Sequence, residues 1–123
     1  MLDIQQGDIY WVTIPPEHTE GSEQFGRRPF IVLSRTALNK RLKTVVVVPM
    51  STNVDNQPPH RIATPVAEIT KDPSCTSILL PSVAKTDQVR VIDKSRLEER
   101  IGRLSQTAII AVAHGLAFVF DIR

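Results

Sequence analysis

One cysteine, one tryptophan and one tyrosine are all that 123 residues provide of these types. Cys75 on its own cannot close an internal disulfide. No His, Cys or Asp spacing in the chain matches a ligand set, so neither a metal nor a cofactor is expected. Aromatic content of 5% argues against the stacking platform that general single-strand binders build. No uninterrupted apolar stretch nears the roughly 20 residues that span a bilayer. Residues 1–6 also lack the charged start and apolar centre of an export signal. The expectation is a cytoplasmic protein without membrane contact. A net charge of +2 excludes attraction of polyanions by a global field, leaving only local clusters. The three histidines, His18, His60 and His114, are scattered, and nothing in the sequence brings two of them together for acid–base work.

What is present is an ordinary globular balance, 41% hydrophobic and 23% charged residues, in a chain of one-domain length with no linker or repeat. Residues 1–123 are therefore expected to form a single domain. Charge is uneven along it. Between Gln24 and Val54 stand Arg27, Arg28, Arg35, Lys40, Arg41 and Lys43 with no acid. Such a run is either a solvated basic face or a surface that displaces the counterions of a nucleic acid.

The pattern of elements is mostly β. Residues 9–14 are β-branched and aromatic, and Pro15-Pro16 ends them. Residues 17–26 form a polar loop. Pro29 opens a second strand through Leu33, in keeping with a first or edge position. Residues 36–43 have the composition of a short helix or turn. Residues 44–50 are almost wholly β-branched and too continuous to have one wet face, which predicts a central strand. A weak strand is expected at 61–63, and two more at 77–80 and 83–92. Asp93 should cap a helical turn reaching Leu97 and Glu98, and Ser105 a helix from Gln106 to about Phe120. That last helix is apolar all round and so should be covered on more than one side, by the sheet and by a second chain. The expected fold is mainly β, a small, strongly curved barrel with a C-terminal helix.

Several short blocks, taken in order, resemble the MazF/PemK/Kid family of bacterial toxins. They are Gly7-Asp8-Ile9-Tyr10-Trp11-Val12, Gly21-Ser22-Glu23-Gln24, Gly26-Arg27-Arg28-Pro29, Val47-Val48-Pro49-Met50-Ser51-Thr52, residues 85–93 and residues 101–105. The resemblance implies an SH3-like (PemK/CcdB-like) barrel and a homodimer. It also implies a metal-independent endoribonuclease cutting single-stranded RNA at short sequences, held in check by a cognate antitoxin with an acidic C-terminal segment. Arg28 stands where that family carries its catalytic arginine, and Ser51 where it usually has a threonine. Lys85 and Asp87 stand where one branch has an arginine and an aspartate acting as acid and base.

The chemistry of these residues fits that implication. A guanidinium can bridge two phosphate oxygens with parallel hydrogen bonds, and Pro29 biases Arg28 toward an extended backbone. The Ser51 hydroxyl can donate to a phosphate oxygen or orient a 2′-hydroxyl, with Thr52 as the fallback; either can equally cap a loop. Arg27 should point to the other strand face and at most steer phosphate. If residues 83–92 are one strand, Lys85 and Asp87 share a face. A free carboxylate is a poor base near neutral pH, so Asp87 is not expected to carry the catalytic load. Glu23 and Gln24, in the loop, suit reading of base edges. Two alternatives use the same fold: a CcdB-like inhibitor of gyrase, and an RNA-binding module without catalysis.

Overall fold

The structure, a computed structural model, describes residues 3–15 and 26–122. The elements are β1 (Asp8–Ile14), β2 (Gly26–Val32), α1 (Thr36–Arg41), β3 (Thr44–Ser51), β4 (Ile62–Thr64), β5 (Ile69–Lys71), β6 (Ser82–Ala84), β7 (Arg90–Asp93), β8 (Leu97–Leu104) and α2 (Gln106–Val119). Neighbouring strands run β4-β6-β3-β2-β1-β8-β5, with β7 also on β3, and the pairings are antiparallel. The sheet curls into a nearly closed barrel against which α2 packs, as the sequence predicts.

Alternation along the strands fills both faces of the sheet. Tyr10, Val12 and Ile14 of β1 join Phe30, Val32, Val45 and Val47 in one apolar cluster. Ile9 and Trp11 join Ile31, Val48 and Met50 in another, closed by Ala108, Ile109 and Val112 of α2. Burial on both faces is why β3 reads as an unbroken apolar run. β3 is also where the sheet bends. One edge takes β2; the other takes β7 over Thr44–Val47 and β6 over Met50 and Ser51. Pro49 sits at the change of partner, where its missing N–H leaves no bond unmade, and its carbonyl accepts the Lys85 N–H at 2.9 Å.

Four expectations need correction. Residues 77–80 form no strand. The predicted strand at 83–92 is two strands parted by a 3₁₀ turn at Thr86–Gln88. Asp93 does cap a turn, accepting the Ser95 N–H at 2.8 Å, but the turn is Lys94–Arg96 only, and Leu97 and Glu98 open the unforeseen β8. Pro29 lies in the middle of β2 rather than at its start. It is tolerated because pairing with β3 begins at Phe30, so 26–29 have β1 alone beside them.

α2 starts as predicted, with the Ser105 hydroxyl accepting from the Ala108 N–H at 3.1 Å. Its Ala108, Ile109, Val112 and Gly115 are buried, while Ile110 and Phe118 are exposed. Gly7 makes the helix contact possible: its φ is +93°, and a Cβ there would collide with the Ile109 side chain. No helix among the described residues is long and apolar enough to cross a membrane.

Candidate active site

The register of β2 on β3, Phe30 with Pro49 and Ile31 with Val48, sets the geometry. That ladder ends two residues short of Arg28 and Ser51, and Arg28 is paired with Val12 of β1; alternation still puts Arg28 on the face of Phe30 and Ser51 on the face of Pro49. On the far side of β3, Met50 pairs with Ala84 and Ser51 with Val83. Lys85 follows directly, tied to Pro49 by its N–H. Arg28 and Ser51 therefore share one face of the sheet, and Lys85, just past β6, lies close enough to Arg28 for the two charges to interact. Arg28 is exposed on the open edge of β2, and Lys85 is half-buried. Burial pulls the Lys85 ammonium down from its ordinary range. The nearby charges of Arg61 and Arg28 act the same way, and Asp87 opposes them.

Ser51 accepts a hydrogen bond from the Asn53 N–H at 3.2 Å, the loop cap expected of a hydroxyl after a strand. Accepting that bond leaves its own O–H free to donate elsewhere, so the cap and a phosphate contact are compatible. Thr52 instead lines a cavity of about 250 Å³ together with Trp11, Arg27, Arg28, Pro29 and Met50. The segment 77–80 forms its opposite wall, and Ser77 accepts the Trp11 indole N–H at 3.2 Å.

Arg27 does lie on the other face. Its guanidinium carbon sits 4.4 Å from the centre of the Trp11 ring, and its Nε is 3.0 Å from Glu98 Oε1. The Glu98 carboxyl is held below its usual range, first by the Thr13 hydroxyl and then by Arg27. Arg27 thus links β2 to β8 through an exposed ion pair. Glu23 and Gln24 lie outside the described residues, as does His18.

Lys85 and Asp87 do not share a strand face, because the backbone turns between them. Asp87 faces Arg61, a residue that the sequence reading left unassigned. Arg61 Nε and Nη2 donate to the two carboxylate oxygens, each at 2.7 Å, and Nη1 donates to Gln57 Oε1 at 3.0 Å. These bonds hold the Asp87 carboxyl at about 2. His60 Nε2 is 3.3 Å from Asp87 Oδ1, and its ring stacks on Phe118 at 5.8 Å and 7°. No sequence signal pairs residue 61 with residue 87; the curl of the sheet does so. Among the described residues no three His, Cys, Asp or Glu side chains gather as a metal site would require.

The family model described as PemK-like, MazF-like toxin of type II toxin–antitoxin system matches residues 5–120. A Staphylococcus epidermidis protein called Endoribonuclease MazF is 31% identical over 116 residues, 92% of this chain and 88% of that one. Among solved structures, MazF from Deinococcus radiodurans superposes with a TM-score of 0.78 at 22% identity, covering 98% of this chain and 99% of that one. The MazE–MazF complex of the same organism gives 0.74 at 22% identity, with full coverage of both chains.

Proposed function

The chain belongs to the PemK-like, MazF-like toxins of type II toxin–antitoxin systems, and we propose that it is a metal-independent endoribonuclease cutting single-stranded RNA at short sequences. Its working form in this reading is a cytoplasmic homodimer of single-domain chains. The exposed Phe118, Phe120 and Ile122 supply the apolar contact, and a cognate antitoxin with an acidic C-terminal segment blocks the site. The observation that supports the reading is a guanidinium and a hydroxyl on one sheet face with an ammonium near enough to feel the guanidinium charge.

RNA supplies its own nucleophile. The ribose 2′-oxygen attacks phosphorus, its proton leaves to solvent, the P–O5′ bond breaks and the 5′-oxygen takes up a proton. The products are a 2′,3′-cyclic phosphate and a 5′-hydroxyl. The protein has to align the two oxygens and stabilise the charge on the phosphorane. In this assignment Arg28 bridges two nonbridging oxygens, and Ser51, or Thr52 beside it, donates a hydrogen bond to one of them. Lys85 adds positive charge. The apolar cavity next to Arg28 has room for an unpaired base, with Glu23 and Gln24 reading its edges. Nothing in the site favours gyrase inhibition.

The test is purified protein with RNA in excess chelator. Cuts with 5′-hydroxyl ends are expected, abolished by Arg28→Ala with the dimer intact. Ser51→Ala should slow cutting roughly 10–1000-fold, the range of oxyanion-donor deletions. Intact RNA with the wild-type chain, or a wild-type rate for Arg28→Ala, overturns the assignment.

A further inference from the structure

Building on the nuclease reading, we propose that Arg61 and Asp87 form a clamp that positions Lys85 beside the scissile phosphate, and that Asp87 takes no proton in the reaction. The sequence places Asp87 two residues after Lys85, as if the two were partners. The geometry pairs them differently. Both Asp87 oxygens are taken by one guanidinium in a fork at 2.7 Å, and the third arm of that guanidinium is fixed by Gln57.

The turn that carries Lys85 out of β6 is held from several sides. The Thr86 hydroxyl donates to the His60 carbonyl at 2.6 Å, and the Lys85 N–H is bound to Pro49. α2 approaches so closely at Gly115 that a Cβ there would lie 2.6 Å from the His60 carbonyl oxygen. His60 and Arg61, just before β4, are thus bolted to the 3₁₀ turn through backbone, hydroxyl and ion-pair contacts. A carboxylate with both oxygens engaged by one guanidinium and its titration pulled well down is a poor acceptor for the 2′-hydroxyl proton near neutral pH. Its function is to hold Arg61 and, through the turn, the ammonium two residues back. The charged groups acting on Lys85 are Arg28 from β2, Arg61 from the segment before β4 and Asp87 from the turn; His60 acts on Asp87.

The test uses the full chain with Arg61→Ala, Arg61→Lys, Asp87→Asn and the double variant Arg61→Ala/Asp87→Asn. Rates are measured on an RNA substrate across pH, and the Lys85 amine is titrated by NMR. Arg61→Ala and Asp87→Asn should each lower kcat roughly 10–100-fold, the size of a small misplacement, with KM little changed. The double variant should be no worse than either single change, because the two residues act as a unit. Arg61→Lys keeps the charge without the fork and should not rescue kcat. Removing Arg61 should raise the Lys85 midpoint, and with it the alkaline limb of kcat; Asp87→Asn should lower both.

A much larger loss in Asp87→Asn than in Arg61→Ala would make Asp87 the base and overturn the clamp. So would a rise in KM with kcat intact, which would make Arg61 a simple RNA contact. Should the wild-type chain leave RNA uncut, the nuclease reading fails, and the clamp is then judged on the Lys85 titration alone: opposite shifts in the two variants support it, and no shift overturns it.

Discussion

At the scale of single residues, the site is legible wherever register decides it. Arg28 and Ser51 take their face from apolar alternation along β2 and β3, and Lys85 follows β6 directly, bound to Pro49 by its N–H. Partners set by the curl of the sheet are not legible. Arg61 belongs to Asp87 because β4 and the 3₁₀ turn are brought together from 26 residues apart, and neither residue type nor spacing announces it. This pairing has a consequence for acid stability. The folded Asp87 carboxyl titrates at about 2, against roughly 3.9 in an unfolded chain. Its contribution to stability is therefore fully present above about pH 4 and is lost as pH falls through 2. Two units would correspond to roughly 2.5 kcal/mol, but the side chain is 33% exposed, and solvent screening reduces this to about 1 kcal/mol. Urea melts of wild type and Asp87→Asn at pH 6, 4 and 2 should show the wild-type advantage shrinking only below pH 4. An unchanged difference at pH 2 would mean that the ion pair does not control the titration.

At the scale of elements, β8 is the instructive omission. Leu97 and Ile101, four residues apart among charged neighbours, carry the spacing of a helix rather than that of a strand. Most charges on β8 are met from outside it: Glu98 by Thr13 and Arg27, Arg100 by Asp8 and Asp72, Arg103 by Asp8. Asp8 itself is fully buried, so this network is an obligation of the fold rather than surface decoration. Period-2 alternation is further broken by register shifts against β1, between Ile9 and Tyr10 and between Tyr10 and Val12. Segment 77–80 errs the other way. It has strand composition, yet Ile78 and Leu80 are exposed, and it walls the cavity instead of joining a ladder. Gly102 of β8 offers a check on how tightly β5 is held. A Cβ there would overlap the Thr70 carbonyl oxygen, a backbone atom that cannot rotate away. Gly102→Ala should therefore destabilise the chain by about 1–3 kcal/mol, with faster amide exchange concentrated at residues 69–71. Wild-type melting would show that β5 shifts at no cost.

For the molecule as a whole, the fold divides what the sequence runs together. The basic stretch from Arg27 to Lys43 reads as one cluster, but Lys40 and Arg41 of α1 and Lys43 just before β3 lie at the end of the β2–β3 pair remote from Arg28 and Ser51. By strand rise the two groups are roughly 20 Å apart, beyond a Debye length at physiological salt. Arg27 is further committed to Glu98 and Trp11. In the proposed assignment the charges set against phosphate at one site are Arg28 and Lys85, with Arg61 held by Asp87. Counterion release makes this countable, because each neutralised phosphate of a single strand contributes about −0.7 to the slope of log K against log salt. A short RNA with a 2′-deoxy residue at the cut position, titrated at several salt concentrations, should give a slope of roughly −1.4 to −2. Six contacts would give about −4. Lys40→Ala/Arg41→Ala/Lys43→Ala should leave the slope where it is, whereas Lys85→Ala should flatten it by about 0.7. A slope near −4 that the triple variant flattens would put RNA across the whole basic stretch and dissolve the localised site.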